Sequence, residues 1–182
     1  MTTPPHYARP DASEYAPFFA AYIAGVPEGD LLARLESQLR ETIGALAGLP
    51  ESQGDYAYAP GKWTLKEVLG HMADAERVFC YRALRFARGD ASPLTSFDEK
   101  LWVPNSGAGA RSVADLQDEL RVVRAATLAL LRHVPPEAAE RRGSVSGKEV
   151  SVRALAWIIA GHERHHLRIL RERYLSPLSG ER

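Results

Sequence analysis

The sequence predicts a single all-α domain built as a four-helix bundle. Three observations carry this. Apolar residues recur at helical spacing in four separate stretches, each stretch opens on a residue suited to capping, and no segment alternates long enough for a substantial sheet. At 182 residues the chain can bury one core and is short for two ordinary domains.

Residues 1–27 hold Pro4, Pro5, Pro10, Pro17 and Pro27 around a short apolar stretch. They predict an irregular N-terminal arm with one or two helical turns, docked by Phe18, Phe19 and Tyr22. The bundle is expected over residues 28–175, with a C-terminal tail at 176–182. Its first helix runs from Asp30, a suitable N-cap, to about residue 48, with Leu31, Leu35, Leu39 and Leu46 on its apolar face. After a loop rich in proline, glycine and tyrosine, Thr64 and Glu67 form a capping box for a second helix ending near Ala87, where Arg88-Gly89-Asp90 stops it.

The connection 89–111 contains Pro93, Pro104, Gly107 and Gly109 and is read as a long loop, of the kind that is usually functional or mobile. Ser112 caps a third helix over 113–133, closed by Pro135-Pro136. A polar stretch at 143–149 is slightly extended, and Ser151 caps a fourth helix over 152–174.

Lys and Arg total 23 and so do Asp and Glu, interleaved along the chain, so the basic stripe of a nucleic-acid binder is missing. A small-molecule partner suits this neutral surface better. No apolar run approaches the ~20 residues that cross a bilayer, so no membrane partner is expected. The N-terminus lacks a basic-then-apolar secretory pattern, and the single cysteine, Cys80, cannot form an internal disulfide. Both features lead to an expectation of the cytoplasm. Cys80 lies nine residues beyond His71, on the opposite side of the second helix, and reads as a small buried hydrophobe.

The most informative residues are histidines. On the fourth helix Leu155, Ile159, His162, His166, Ile169 and Arg173 follow alternating steps of four and three, the spacing of a core-facing seam. Two imidazoles thus stand one turn apart where leucines usually stand. His165 falls on the edge of that stripe, with Ile158, Gly161, Arg168 and Glu172. On the second helix Val68, His71, Ala75 and Val78 share a row, so His71 can bring a third nitrogen. His6 in the arm and His133 at a helix end are poorer candidates. Either the histidines are hydrogen-bonded core residues, or His71, His162 and His166 hold one divalent metal ion with positions left open; zinc, nickel and iron all suit such a set.

Other readings of the same letters are weaker. His162-Glu163-Arg164-His165-His166 matches the H-E-x-x-H of zinc peptidases with Glu163 as base, but Ile169 and Glu172 stand where the extended motif needs Gly and His. Glu163 with His166 also matches the Glu-x-x-His of di-iron bundles, yet Val68 stands where the pair around His71 needs a glutamate. Trp63 reads as a packing residue at the helix start. Arg77, Arg164 and Arg168 read as solvated or paired, whereas Arg82 shares the side of His71 and is a candidate for an anionic group of a substrate. Glu67 and His165 are candidates to orient a ligand.

The stretch from Pro60 to His71, followed by Asp74-Ala75-Glu76-Arg77, together with the stretch from Ile159 to His166, resembles the two motifs of the DinB/YfiT-like superfamily. The resemblance spans residues 28–175. It implies an up-down-down-up four-helix bundle, often a homodimer, with one metal ion held at positions matched here by His71, His162 and His166. It also implies transferase or isomerase chemistry using a low-molecular-weight thiol such as bacillithiol or mycothiol. The leading expectation is therefore metal-dependent transfer of such a thiol to a small electrophile. The alternatives are a non-catalytic metal-binding or dimerisation module and a metal-dependent hydrolase.

Overall fold

The structure is a computed structural model that describes residues 7–90 and 92–175. Four long helices form the bundle: α2 (Leu31–Ala45), α3 (Leu65–Ala87), α5 (Val113–Leu131) and α7 (Val152–Ile169), the last continuing as a π-helical turn over Leu170–Leu175. Shorter elements lie between and before them: α1 (Ala20–Ala24), α4 (Glu99–Asn105), α6 (Pro136–Ala139) and a hairpin of β1 (Arg142–Val145) and β2 (Lys148–Ser151). Among the described residues no helix is long and apolar enough to cross a membrane. His6 and the tail 176–182 lie outside the described residues.

All four expected caps are made. Asp30, Thr64, Ser112 and Ser151 each accept from the backbone N–H three residues on, and Glu67 reaches back to the Thr64 amide to close the capping box. Around the bundle α2 touches α5 and α7, and α3 touches the same two, so α2 and α3 stand at opposite corners.

Direction follows from which residues share a core. One apolar cluster joins Leu31 and Leu35 of α2, Phe79 to Ala87 of α3, Leu128 and Leu131 of α5, and residues 152–160 of α7. A second joins Leu46, residues 65–73 of α3, Val113 to Val123 of α5, and Leu170 with Tyr174. The start of α2 and of α7 thus meets the end of α3 and of α5. The bundle runs up-down-down-up, as the resemblance implies.

Between the two clusters every long helix contributes buried polar side chains: Gln38 and Thr42, His71 and Glu76, Arg124 and Thr127, His162, Glu163 and His166. Burying polar atoms without partners costs ~1–3 kcal/mol each, so such a layer persists only where its members satisfy one another or a ligand. It divides an otherwise oily core, and the site lies in it.

The arm is more closely tied to the bundle than its prolines suggest. The Trp157 indole donates to the Tyr7 carbonyl at 2.9 Å, the Tyr7 hydroxyl donates to the Leu131 carbonyl, and Arg9 stacks over Trp157 while donating to the carbonyls of Ile23 and Val26. Ile23 and Val26 are the buried anchors; Phe18, expected to dock, is 69% exposed. Contact between α1 and α7 is backbone-close, since a Cβ on Gly161 would sit 2.3 Å from the Tyr22 carbonyl oxygen.

Glu14 pins the arm by its side chain, accepting from the Arg153 guanidinium, the Ser151 hydroxyl and the Asp11 amide. Burial pushes its carboxyl up, but these donors outweigh burial and bring its pKa to about 2. A carboxyl held below its unfolded value stabilises the fold above that value, and the benefit is lost as pH falls through the folded one. We therefore expect wild type to exceed Glu14→Gln in unfolding free energy by roughly 2–3 kcal/mol at neutral pH. Denaturant titrations should show the gap closing between about pH 4.5 and 2. A gap that stays constant down to pH 2 would contradict the assignment.

The connection 89–111 is not a plain loop. Asp98 caps α4, and Leu94 bonds to Ser144 and Ser146 of the hairpin, 2.9 and 2.8 Å. The hairpin turn is Ser146-Gly147, both with positive φ (49° and 76°), a conformation glycine adopts readily and serine seldom does. The fourth helix also ends earlier than expected as regular α-helix, its last turn being π.

Candidate metal centre

His71 lies two turns into α3, and His162 and His166 lie one turn apart on α7. Because α3 and α7 run antiparallel and in contact, the three rings converge. The Nε2 of His162 is 3.1 Å from that of His71 and 3.2 Å from that of His166, and one nitrogen from each ring lies within 4.8 Å of the others. All three residues are buried. Burial depresses the basicity of each: the pKa of His71 falls to about 4, and those of His162 and His166 fall well below the usual imidazole value, with repulsion between the rings adding to the effect on α7. At neutral pH all three are therefore neutral, the form that can donate a lone pair to a metal.

The donor set fits a metal ion. An imidazole nitrogen carries either a proton or a lone pair, so the His162 Nε2 can make a hydrogen bond with one of its two neighbours at a time. One cation can accept all three lone pairs. Nitrogens ~2.05 Å from a common centre stand about 2.9 Å apart at right angles and about 3.3 Å apart at the tetrahedral angle. The two short separations fall inside that interval.

The cluster forms one wall of a cavity of about 720 Å³, a size suited to a small organic ligand. Aromatic rings enclose the imidazoles: Trp63 stands 4.9 Å from His71, and Tyr22 of α1 and Phe79 of α3 each meet His162 edge-on at 5.7 Å. Phe97, α4 and the hairpin complete the walls. His165 stays outside the cluster, half-buried at the cavity wall against Tyr22.

Glu163 is not arranged as a peptidase base. One carboxylate oxygen accepts from Gln38 and Arg124, and the other from Thr42, each at 2.8 Å. Arg124 also donates twice to Glu76 and once to the Leu35 carbonyl. Glu67, read as a ligand-orienting candidate, has Oε2 committed to the Thr64 amide and hydroxyl of the helix cap. Val68 is buried and apolar, so a second metal has no ligand there. Arg77 pairs with Asp74 and Glu119, and Arg168 with Glu172; Arg82 is buried in the cavity wall. Cys80 is half-buried, and burial raises its thiol pKa, which removes it as a ready nucleophile.

Sequence reasoning misses Glu99, whose carboxylate acts on both His71 and Tyr22 through space, because α4 is too short to show a helical period. The signal was present in Asp98-Glu99, a cap followed by an acidic first turn. It also missed Arg124, a charge standing on the apolar stripe of α5 between Leu120 and Leu131.

The sequence profile of the DinB superfamily matches residues 34–170. The comparison with curated proteins gives no match. Among solved structures, YfiT from Bacillus subtilis, described as a probable metal-dependent hydrolase with an unusual four-helix bundle topology, shares the fold at a TM-score of 0.70 and 19% identity, over 97% of this chain and 99% of its own. A DinB-like protein of Bacillus subtilis, YjoA, is similar at 0.59 and 18%, covering 82% and 91%; a protein of Streptococcus pneumoniae is similar at 0.58 and 14%, covering 80% and 91%. With its profile spanning most of the sequence, the chain belongs to the DinB superfamily.

Proposed function

We propose that His71, His162 and His166 hold one divalent metal ion, zinc, nickel or iron, and that the protein uses it to transfer a low-molecular-weight thiol to a small electrophile. The observation that carries this reading is the convergence of three neutral imidazole nitrogens on the wall of a cavity large enough for organic reactants. Three protein ligands leave coordination positions open, unlike the four of a structural zinc site. A bound cation would supply Lewis acidity, lowering the pKa of a thiol or a water that reaches it.

The chain's own residues do the rest. The three histidines fix the cation's position on two rigid helices rather than on loops. Trp63, Tyr22 and Phe79 limit water around them, which strengthens every charge interaction inside. The Arg124–Glu76–Glu163 group packs beside His162 and ties α3, α5 and α7 together, which holds the helices that carry the cluster in register.

The likeness to YfiT favours hydrolysis as the second reading, with water in place of the thiol. One experiment separates them. Protein loaded in turn with each metal is offered bacillithiol, cysteine or glutathione with 1-chloro-2,4-dinitrobenzene, and separately 4-nitrophenyl acetate without thiol. We expect thioether formation that stops with a chelator and returns with metal. Ester cleavage alone would establish the hydrolase; no turnover of either kind at full occupancy would leave a non-catalytic metal-binding module.

A further inference from the structure

Arg82 is 5% exposed, yet among the described residues no carboxylate forms an ion pair with it. Its neighbours on α3 differ: Arg77 is paired with Asp74 and Glu119, and Arg85 with Asp90. The other deeply buried guanidinium, Arg124, has two carboxylates. Among the described residues Arg82 makes one hydrogen bond, from Nη2 to the Thr95 carbonyl at 3.2 Å, and it lies over the rings of Phe79 and Phe97 at 5.8 and 5.9 Å. A guanidinium has five N–H donors, and a charge taken out of water without a counter-charge is costly; ring faces offset only part of that cost.

This side chain faces the same cavity as the histidines. The ring of Phe79 spans the gap, 5.8 Å from the guanidinium carbon and 5.7 Å from the His162 ring, so the two poles are at most about 11.5 Å apart. The wall between them is aromatic. The remaining charged groups that line the cavity, Glu99, Lys148 and Glu149, are exposed.

We propose that Arg82 is the anion-binding residue of this cavity, and that the small-molecule substrate is a monocarboxylate with an apolar or aromatic body. Its carboxylate lies on the guanidinium and its reacting end at the histidine cluster. The planar fork of arginine matches a carboxylate through two parallel hydrogen bonds. A single buried cation balances a single negative charge, and the aromatic wall covers an apolar body but leaves further charges unsatisfied. The placement of the reacting end rests on the metal reading above; the carboxylate subsite does not.

The test uses 4-phenylbutanoate and its neutral amide, 4-phenylbutanamide, titrated calorimetrically into metal-free and zinc-loaded protein. Wild type should bind the acid at least tenfold more tightly than the amide in both forms. Arg82→Gln should bring that ratio to about one, and Arg82→Lys should restore part of it. A ratio near one in wild type, absence of binding by the acid, or a preference that survives in Arg82→Gln would overturn the proposal. If Arg82→Gln fails to fold, the Arg82 Nε–H resonance of wild type decides: it must shift with the acid and not with the amide. Failure of zinc to bind would sink the metal reading while the metal-free ratio still judged Arg82.

Discussion

His162→Ala should abolish metal loading. Its Nε2 stands 3.1 and 3.2 Å from those of the other two, so its removal deletes the ligand at the centre of the cluster. We expect at least a hundredfold loss of affinity, since disturbing groups that merely support a ligand already costs ~10–100-fold. Elemental analysis after reconstitution should find about one ion per wild-type chain and a trace in the variant. A thermal scan gives an independent readout, because a ligand present at 100 times its Kd stabilises the native state by ~2.7 kcal/mol. Wild type should therefore melt several degrees higher with metal than without, while the variant should show no response. Unchanged occupancy in His162→Ala would remove the site altogether.

Arg124→Met should be among the most destabilising single substitutions in the bundle. The guanidinium is fully buried and bridges Glu76 and Glu163 while donating to the Leu35 carbonyl. Its removal leaves two carboxylates facing each other without a cation, and breaking a buried pair in this way costs ~3–5 kcal/mol. The triple variant Glu76→Gln, Arg124→Met, Glu163→Gln removes the charges together and should recover most of the loss, because the penalty belongs to the unbalanced charge rather than to the missing contact. Urea denaturation of the single and triple variants checks both claims. A triple variant no more stable than the single one would show that geometry, not charge, governs this layer.

These two results concern the buried polar layer, which the sequence announces only in part. Helix ranges, caps and the inward seam of α7 were legible because period and capping chemistry are local properties of the chain. The same seam singled out His166 over His165, and the structure puts His166 in the cluster and His165 at the cavity wall. What periodicity does not state is the identity of the facing residue. Glu163 satisfied a peptidase pattern by its letters, yet it faces Gln38, Thr42 and Arg124 from two other helices. α4 was missed because it is seven residues long and contains Pro104, too short to show a period. Phe18 is expected to dock but is exposed, because the arm anchors through Ile23 and Val26, five and eight residues further on.

The backbone contact at Gly161 sets an order of events. Tyr22 reaches His162 only because α1 lies flush on α7, two segments separated by more than a hundred residues of chain. During synthesis the arm leaves the ribosome well before α7 and cannot find its seat until that helix has followed. The four-helix frame has to close before that long-range contact repays its loop-closure entropy. The wall that Tyr22 gives the cavity is thus a long-range contact, closed only when the frame that carries α7 is in place.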